Sequence, residues 1–292
     1  MLAPNLGSQI LLFTMTLDRH DNTTVAKSFE HALKLLFEGS LDARIKRYRP
    51  RFVYRGLGDR QYRLLTSLQR LGGPFATLEG SLIRNFRKYA ERVAYGGPES
   101  AWYWITLAQH HGLPTRLLDW TWSPIVALHF ATSVLSEMGH DARIWILDCE
   151  KVYDLLPRPV VAILRQEHAF IPTIEMLDAL APALDSLDRM ASRRRPFVLF
   201  FEPPSIDQRI VSQYALFSVM PGAESLIEDW LAARPNLWRA VDIPASIKWE
   251  VRDKLDSMNM NERVLFPGLD GLSSWLKRHY SPGPLEQAST VR

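Results

Sequence analysis

Gln109-His110-His111-Gly112-Leu113-Pro114-Thr115-Arg116-Leu117-Leu118-Asp119-Trp120-Thr121-Trp122-Ser123 separates two apolar runs and carries more polar and ionisable side chains than a simple turn needs. On its N-terminal side, residues 99–110 read as a helix. It should stop at Gly112-Leu113-Pro114, because glycine accepts the left-handed cap conformation and proline cannot continue the ladder. On the C-terminal side, Ser123-Pro124 reads as an N-cap followed by proline at the first helical position, opening a helix that buries Ala127, Leu128, Ala131 and Leu135. The residues between are expected to form a tight irregular connection. An unpaired buried polar group costs about 1–3 kcal/mol, so these side chains either bond one another or bind something. Arg116 and Asp119, three residues apart, are one such pair: a structural brace if they meet, ligand-binding groups if they do not.

Outward from this stretch, Arg51-Phe52-Val53-Tyr54-Arg55-Gly56 reads as a strand running into a turn at Gly56 and Gly58. Thr23-Thr24 is read as the cap of a first helix burying Val25, Phe29, Ala32, Leu33 and Leu36 and ending at Gly39. A second helix is expected over residues 78–95, with Leu82, Phe86, Tyr89 and Val93 inward and Arg84, Arg87, Lys88 and Arg92 outward. Residues 143–147, 197–201, 215–219, 238–243 and 263–266 read as strands. Strands at irregular intervals among helices favour an α+β fold, a single compact domain with a mixed or antiparallel β core flanked by helices, over a doubly wound sheet. The expected organisation is an N-terminal helical segment (1–45) packed on the domain, the α+β domain itself (46–280) and a C-terminal tail (281–292). Ile10-Leu11-Leu12-Phe13 is read as a strand or docking segment, and Arg193-Arg194-Arg195-Pro196 as an exposed loop or an anion grip.

Bulk properties narrow the function classes. No stretch approaches the roughly 20 apolar residues of a membrane span, so no membrane role is expected. One cysteine, Cys149, excludes an internal disulfide framework and suits a reducing, cytoplasmic setting. A net charge of +3 permits anionic partners, and arginine outnumbers lysine by roughly three to one, which suits forked recognition of carboxylate or phosphate or reflects base composition. His110 and His111 are adjacent, about 100° apart on a helix, and no carboxylate or cysteine completes a zinc pattern, so no metal is expected. No P-loop, Gly-rich dinucleotide fingerprint or nucleophile elbow is present, which sets aside kinases, Rossmann dehydrogenases and α/β-hydrolases.

Residues 109–121, followed by Ala127-Leu128-His129-Phe130-Ala131, resemble the signature of the FRG domain family, and Tyr54-Arg55-Gly56 stands where that family usually has Phe-Arg-Gly. Arg209-Ile210-Val211-Ser212-Gln213 with Phe217, and Leu265-Phe266-Pro267-Gly268-Leu269-Asp270-Gly271, resemble its C-terminal motifs less specifically. A further resemblance is to the arginine-type ADP-ribosyltransferases, whose core opens on Tyr-Arg-Gly or Phe-Arg-Gly, continues with Ser-Thr-Ser and closes with Glu-x-Glu. That resemblance implies NAD as substrate. Arg55, with Tyr54 and Gly56, would bind its ribose-phosphate side, Thr121 and Ser123 would take the second position, and Trp120 or Tyr54 would stack on the nicotinamide. Gln109 and Gln213 join this binding set, and His110, Arg116 and Asp119 the catalytic set. For the late carboxylate, Glu262 falls one residue out of register in Asn261-Glu262-Arg263-Val264-Leu265, which in a strand reverses the face. Glu202 and Gln213 are the alternatives. The resulting expectation is an NAD-consuming transferase or glycohydrolase acting on a protein, a nucleic acid or NAD itself. The competing reading is a non-enzymatic module binding nucleic acid or a phosphorylated ligand through Arg55, Arg116 and the basic helix face. Family context suggests a bacterial toxin or defence effector under either.

Overall fold

The computed structural model describes residues 22–49, 51–90, 100–191, 195–205 and 207–283. The strands are β1 (Thr23–Val25), β2 (Leu41–Asp42), β3 (Arg47–Tyr48), β4 (Phe52–Leu57), β5 (Leu118–Thr121), β6 (Ala142–Asp148), β7 (Leu199–Phe201), β8 (Ala215–Val219) and β9 (Trp238–Ile243). Seven of them form one sheet in the order β1-β9-β6-β4-β5-β8-β7, with β1 parallel to β9 and every other pair antiparallel; β2 and β3 make a separate hairpin. With helices packed on this mixed sheet, the chain is a single α+β domain.

Period-two alternation assigns each strand residue to a layer. Val53, Leu118, Trp120, Trp145, Leu147 and Leu216 share one buried cluster with Trp230 and Leu231 of the Ile227–Ala232 helix. Tyr54, Ile144, Ile146, Val241 and Ile243, the alternate positions, meet the helices Phe29–Phe37, Pro124–Thr132 and Ala245–Ser257. On β7 and β8, Leu199, Phe201, Phe217 and Val219 pack under the helices Ala101–His110, Arg158–Gln166 and Ile174–Leu180. Tyr54 and Phe217 thus lead to two different helical clusters, and the β4–β5 junction lies between them.

Several sequence expectations are corrected. Thr23-Thr24 is strand rather than cap; Ser28 caps the first helix through its Oγ, and Val25 is exposed. Residues 118–121, read as irregular, form β5 inside the sheet. Residues 263–266 are not a strand: Glu262–Leu265 is a short helix capped by Asn261. The second helix begins at Phe75, exposes Tyr89, and buries Glu79 instead of an apolar stripe. Leu135 lies beyond the Pro124–Thr132 helix, in the 3-10 turn Leu135–Glu137. The expectations for residues 10–13, 91–95, 99, 193 and 194 lie outside the described residues. No described helix is long and apolar enough to cross a membrane.

The Pro124–Thr132 helix carries a fully buried histidine, His129, whose Nδ1 accepts from Arg252 Nη1 at 2.8 Å. Burial first, and the neighbouring Arg252 next, push the imidazole down to about 3 from 6.5. Its folded value lies below its unfolded one, so the unfolded chain binds the extra proton between them. The stability this group contributes is complete above pH 6.5 and is lost as pH falls toward 3. The expected loss by pH 4.5 is about 3 kcal/mol. Urea titrations at pH 7 and 4.5 should show a smaller pH-dependent drop for His129→Asn, whose side-chain oxygen can still accept from Arg252, than for the wild type. Equal drops would remove His129 as the cause.

Candidate functional site

β4 and β5 pair in register only at Tyr54 and Thr121. β4 remains paired with β6 from Phe52 to Leu57, and β5 with β8 from Leu118 to Thr121, so the two halves of the sheet part beyond Tyr54. A ladder carbonyl left open by such a parting needs a donor. Arg55 supplies it: Nη1 donates to the Asp119 carbonyl oxygen at 2.6 Å and lies 3.7 Å from Asp119 Oδ2. Its Nε is buried without a hydrogen-bond partner among the described residues. Burial lowers the affinity of this guanidinium for its proton, with Asp119 opposing and Arg70 reinforcing the shift.

The run 109–121 positions the remaining groups. Gly112 takes φ 80° and turns the chain after the Ala101–His110 helix. Thr115 Oγ1 donates to Gln109 Oε1 at 2.6 Å, which orients the Gln109 amide, and Gln109 Nε2 donates to both Asp119 carboxylate oxygens at 3.2 and 3.0 Å. Along β5, Leu118 and Trp120 enter the core while Asp119 stays exposed. Thr121 Oγ1 donates to the Gln213 carbonyl, and Gln213 Nε2 donates to the Leu265 carbonyl, tying β5 to the short helices Gln208–Ser212 and Glu262–Leu265.

A cavity of about 280 Å³ opens at the parting. Tyr54, Arg55, Gly56, Gln109, His110, Asp119, Thr121 and Gln213 of the expected site residues line it. Trp120, Phe130, Arg209, Ile210, Ala215 and Phe217 complete the lining. Asp119 is the carboxylate among them. His110 is only 11% exposed, and its Nε2 stands 3.4 Å from Asp207 Oδ2. Burial lowers the His110 pKa, Asp207 opposes the shift, and Arg209 and His111 add to it. Arg209 lies over the Phe266 ring at 4.7 Å, and Phe266 meets Phe130 edge-on, so Phe266 links two lining residues from outside the cavity.

Other expected residues lie elsewhere. Arg116 does not meet Asp119; it is buried in an ion cluster with Glu79 and Asp188, a brace between helices Phe75–Ala90 and Leu184–Met190. Glu262 is buried against Arg278, with contacts of 2.6 and 2.8 Å; burial pushes its carboxyl up, but Arg278 holds it below the usual range. Glu202 is exposed beyond the end of edge strand β7 and lines no part of the cavity. Ser123 caps its helix by accepting from the Val126 amide. Trp120 and Tyr54, the candidates for ring stacking, do line the cavity but are core side chains: Trp120 Nε1 donates to Ser218 Oγ, and the Tyr54 hydroxyl donates to the Leu36 carbonyl. Asp207 escaped the sequence reading; its signal was an N-cap aspartate two residues before Arg209. No group of three or more His, Cys, Asp or Glu placed to hold a metal occurs among the described residues.

Residues 50–139 match the family model described as the FRG domain, a span that takes in the strand with Arg55, the run 109–121 and the helix with Phe130. Comparison with curated proteins and with solved structures gave no match.

Proposed function

We propose, on the premise that this chain carries an FRG domain over residues 50–139, that the domain is an NAD-consuming enzyme, an ADP-ribosyltransferase or NAD glycohydrolase, working at the β4–β5 parting. One observation carries the reading: a half-buried arginine, its Nε enclosed without a partner, and a carboxylate held by an amide line the same cavity. A guanidinium so placed suits a diphosphate, to which it can offer a fork of donors. At about 280 Å³ the cavity lies near the lower end of the ~300–1,000 Å³ typical of ligand pockets, so it encloses the reacting end of a dinucleotide and leaves the rest along the open side.

In this mechanism the bond between nicotinamide and ribose breaks with its electron pair going to nicotinamide. Positive charge develops on the ribose, where the Asp119 carboxylate, steadied by Gln109, stabilises it. An acceptor oxygen then bonds to the ribose carbon and gives its proton to His110, whose neutral form is favoured by burial and whose ring is oriented by Asp207. Asp119 takes the carboxylate role for which Glu202 and Glu262 were candidates, because neither of those lines the cavity. The acceptor is water, a protein or a nucleic acid, and the setting a bacterial toxin or defence system.

Purified protein incubated with NAD, alone and with cell extract, is expected to release nicotinamide, and calorimetric titration with ADP-ribose to give saturable binding. Absence of both sinks the proposal. The non-enzymatic reading through Arg55 and Arg116 loses a partner, since Arg116 is buried between two carboxylates.

A further inference from the structure

We infer that the β2–β3 hairpin is a contact surface for single-stranded nucleic acid, gripped through its phosphates. Residues 44–51 contain five cations, Arg44, Lys46, Arg47, Arg49 and Arg51, and no carboxylate, in a chain whose overall excess is +3. Arg44 is paired with Asp42, and Arg51 with Asp148 and Glu150. Lys46, Arg47 and Arg49 are exposed, and none has a carboxylate partner among the described residues. Asp42 stands opposite Arg47 on the same face, but its carboxylate is held by Arg44, so three cations remain in excess on one short hairpin and a polyanion relieves their repulsion.

The register separates this face from an apolar one. Leu41 stands opposite Tyr48 and Asp42 opposite Arg47. The Arg49 amide donates to the Ser40 carbonyl at 2.9 Å, which extends the ladder by one pair. Side chains alternate along a strand, so Arg47 and Arg49 share a face about 6.5–7 Å apart. That repeat is close to the separation of successive phosphates along an extended strand, and each arginine can fork onto one phosphate. Leu41 and Tyr48 share the opposite face, where Tyr48 meets Phe37 edge-on at 6.4 Å.

The separation argues against a bilayer. Interfacial binding needs a broad apolar face to bury beneath the headgroups with the cations beside it. Here Leu41 and Tyr48 face away from Arg47 and Arg49. The row follows one backbone at about the spacing of successive phosphates, so a flexible single strand is the match we infer. The surface is independent of the NAD reading: the hairpin contributes nothing to the cavity lining.

Fluorescence anisotropy on the full chain, with labelled oligothymidylate and oligouridylate of about 12 nucleotides, tests it. Binding is expected at about 50 mM salt and should weaken steeply by about 200 mM, because counterions are released. The double variant Arg47→Gln/Arg49→Gln, both exposed and remote from the core, should keep its circular dichroism spectrum, lose about tenfold or more in affinity, and reduce the salt slope by about 1 per arginine. The inference is overturned if the wild type ignores both oligonucleotides, if the double variant binds them unchanged, or if duplex DNA or phosphatidylserine vesicles are bound more tightly. Loss of oligonucleotide binding by the double variant with its fold retained supports the surface, whether or not the protein releases nicotinamide.

Discussion

The Arg55→Met variant is expected to fold normally and to bind ADP-ribose about 10²–10³-fold more weakly than the wild type, since removing one partner of a desolvated charge contact costs about 2–5 kcal/mol. Folding should survive because two effects oppose each other. Loss of the bond from Nη1 leaves the Asp119 carbonyl short of a donor, a cost of about 1–3 kcal/mol. Methionine also removes a half-buried cation whose enclosed Nε has no partner, and its flexible thioether fills the space. Asp119→Asn makes the complementary case. It retains the volume and the hydrogen-bonding capacity toward Gln109 but not the charge, so ADP-ribose affinity should change little while nicotinamide release falls by about 10²–10³-fold. Calorimetry and single-turnover nicotinamide release separate the two roles. Unfolding of Arg55→Met would make this arginine a brace holding the sheet halves together, and unchanged affinity would remove it as the anion anchor.

The strands at 52–57, 142–148, 215–219 and 238–243 were legible because each is a run rich in β-branched and aromatic residues, bounded by polar residues, glycine or proline. β5 was not, for a reason that concerns the site. It is four residues long, and alternate positions Asp119 and Thr121 face the cavity, so the expected apolar run is broken by polar side chains. The Arg116–Asp119 pairing failed on the same geometry. Residues three apart meet on a helix, whereas in an extended chain an odd separation sends them to opposite faces. Arg116 instead finds Glu79 and Asp188, 37 and 72 residues away, partners no local spacing announces. Residues 263–266 have a strand-like composition, but an Asn261 cap and the Glu262–Arg278 pair, which closes across 16 residues, fix a helical turn there. Gln109, His110 and Asp119 were reachable because their run is dense in polar groups, and Arg55 because Tyr54-Arg55-Gly56 stands at a strand end and resembles the family triplet. Asp207 sits outside it and looks like an ordinary cap.

Gly56→Ala is expected to destabilise the protein by more than about 4–5 kcal/mol, an exceptional cost for adding one methyl group. A Cβ built at Gly56 would lie 1.9 Å from the Ala127 carbonyl oxygen and 2.8 Å from the Ala131 nitrogen. These are backbone atoms of the Pro124–Thr132 helix, so no rotamer change relieves the clash. β4 cannot retreat, because it is in register with β6 across all six of its residues, from Phe52 with Asp148 to Leu57 with Arg143. The helix cannot retreat either: Ser123 caps it, and His129 is bonded to the buried Arg252. Gly112→Ala is the control. Gly112 sits at φ 80°, and a methyl group added there would have nothing within 4 Å, so that substitution should cost only about 1–2 kcal/mol of backbone strain. Chemical denaturation of both variants distinguishes steric exclusion from a general intolerance of alanine at glycine positions. A Gly56→Ala protein within about 1 kcal/mol of the wild type would mean that strand and helix do not approach this closely. The Arg-Gly pair therefore divides its labour: Arg55 lines the cavity and bonds across the parting to β5, and Gly56 lets the helix that carries Phe130 come close enough to wall it.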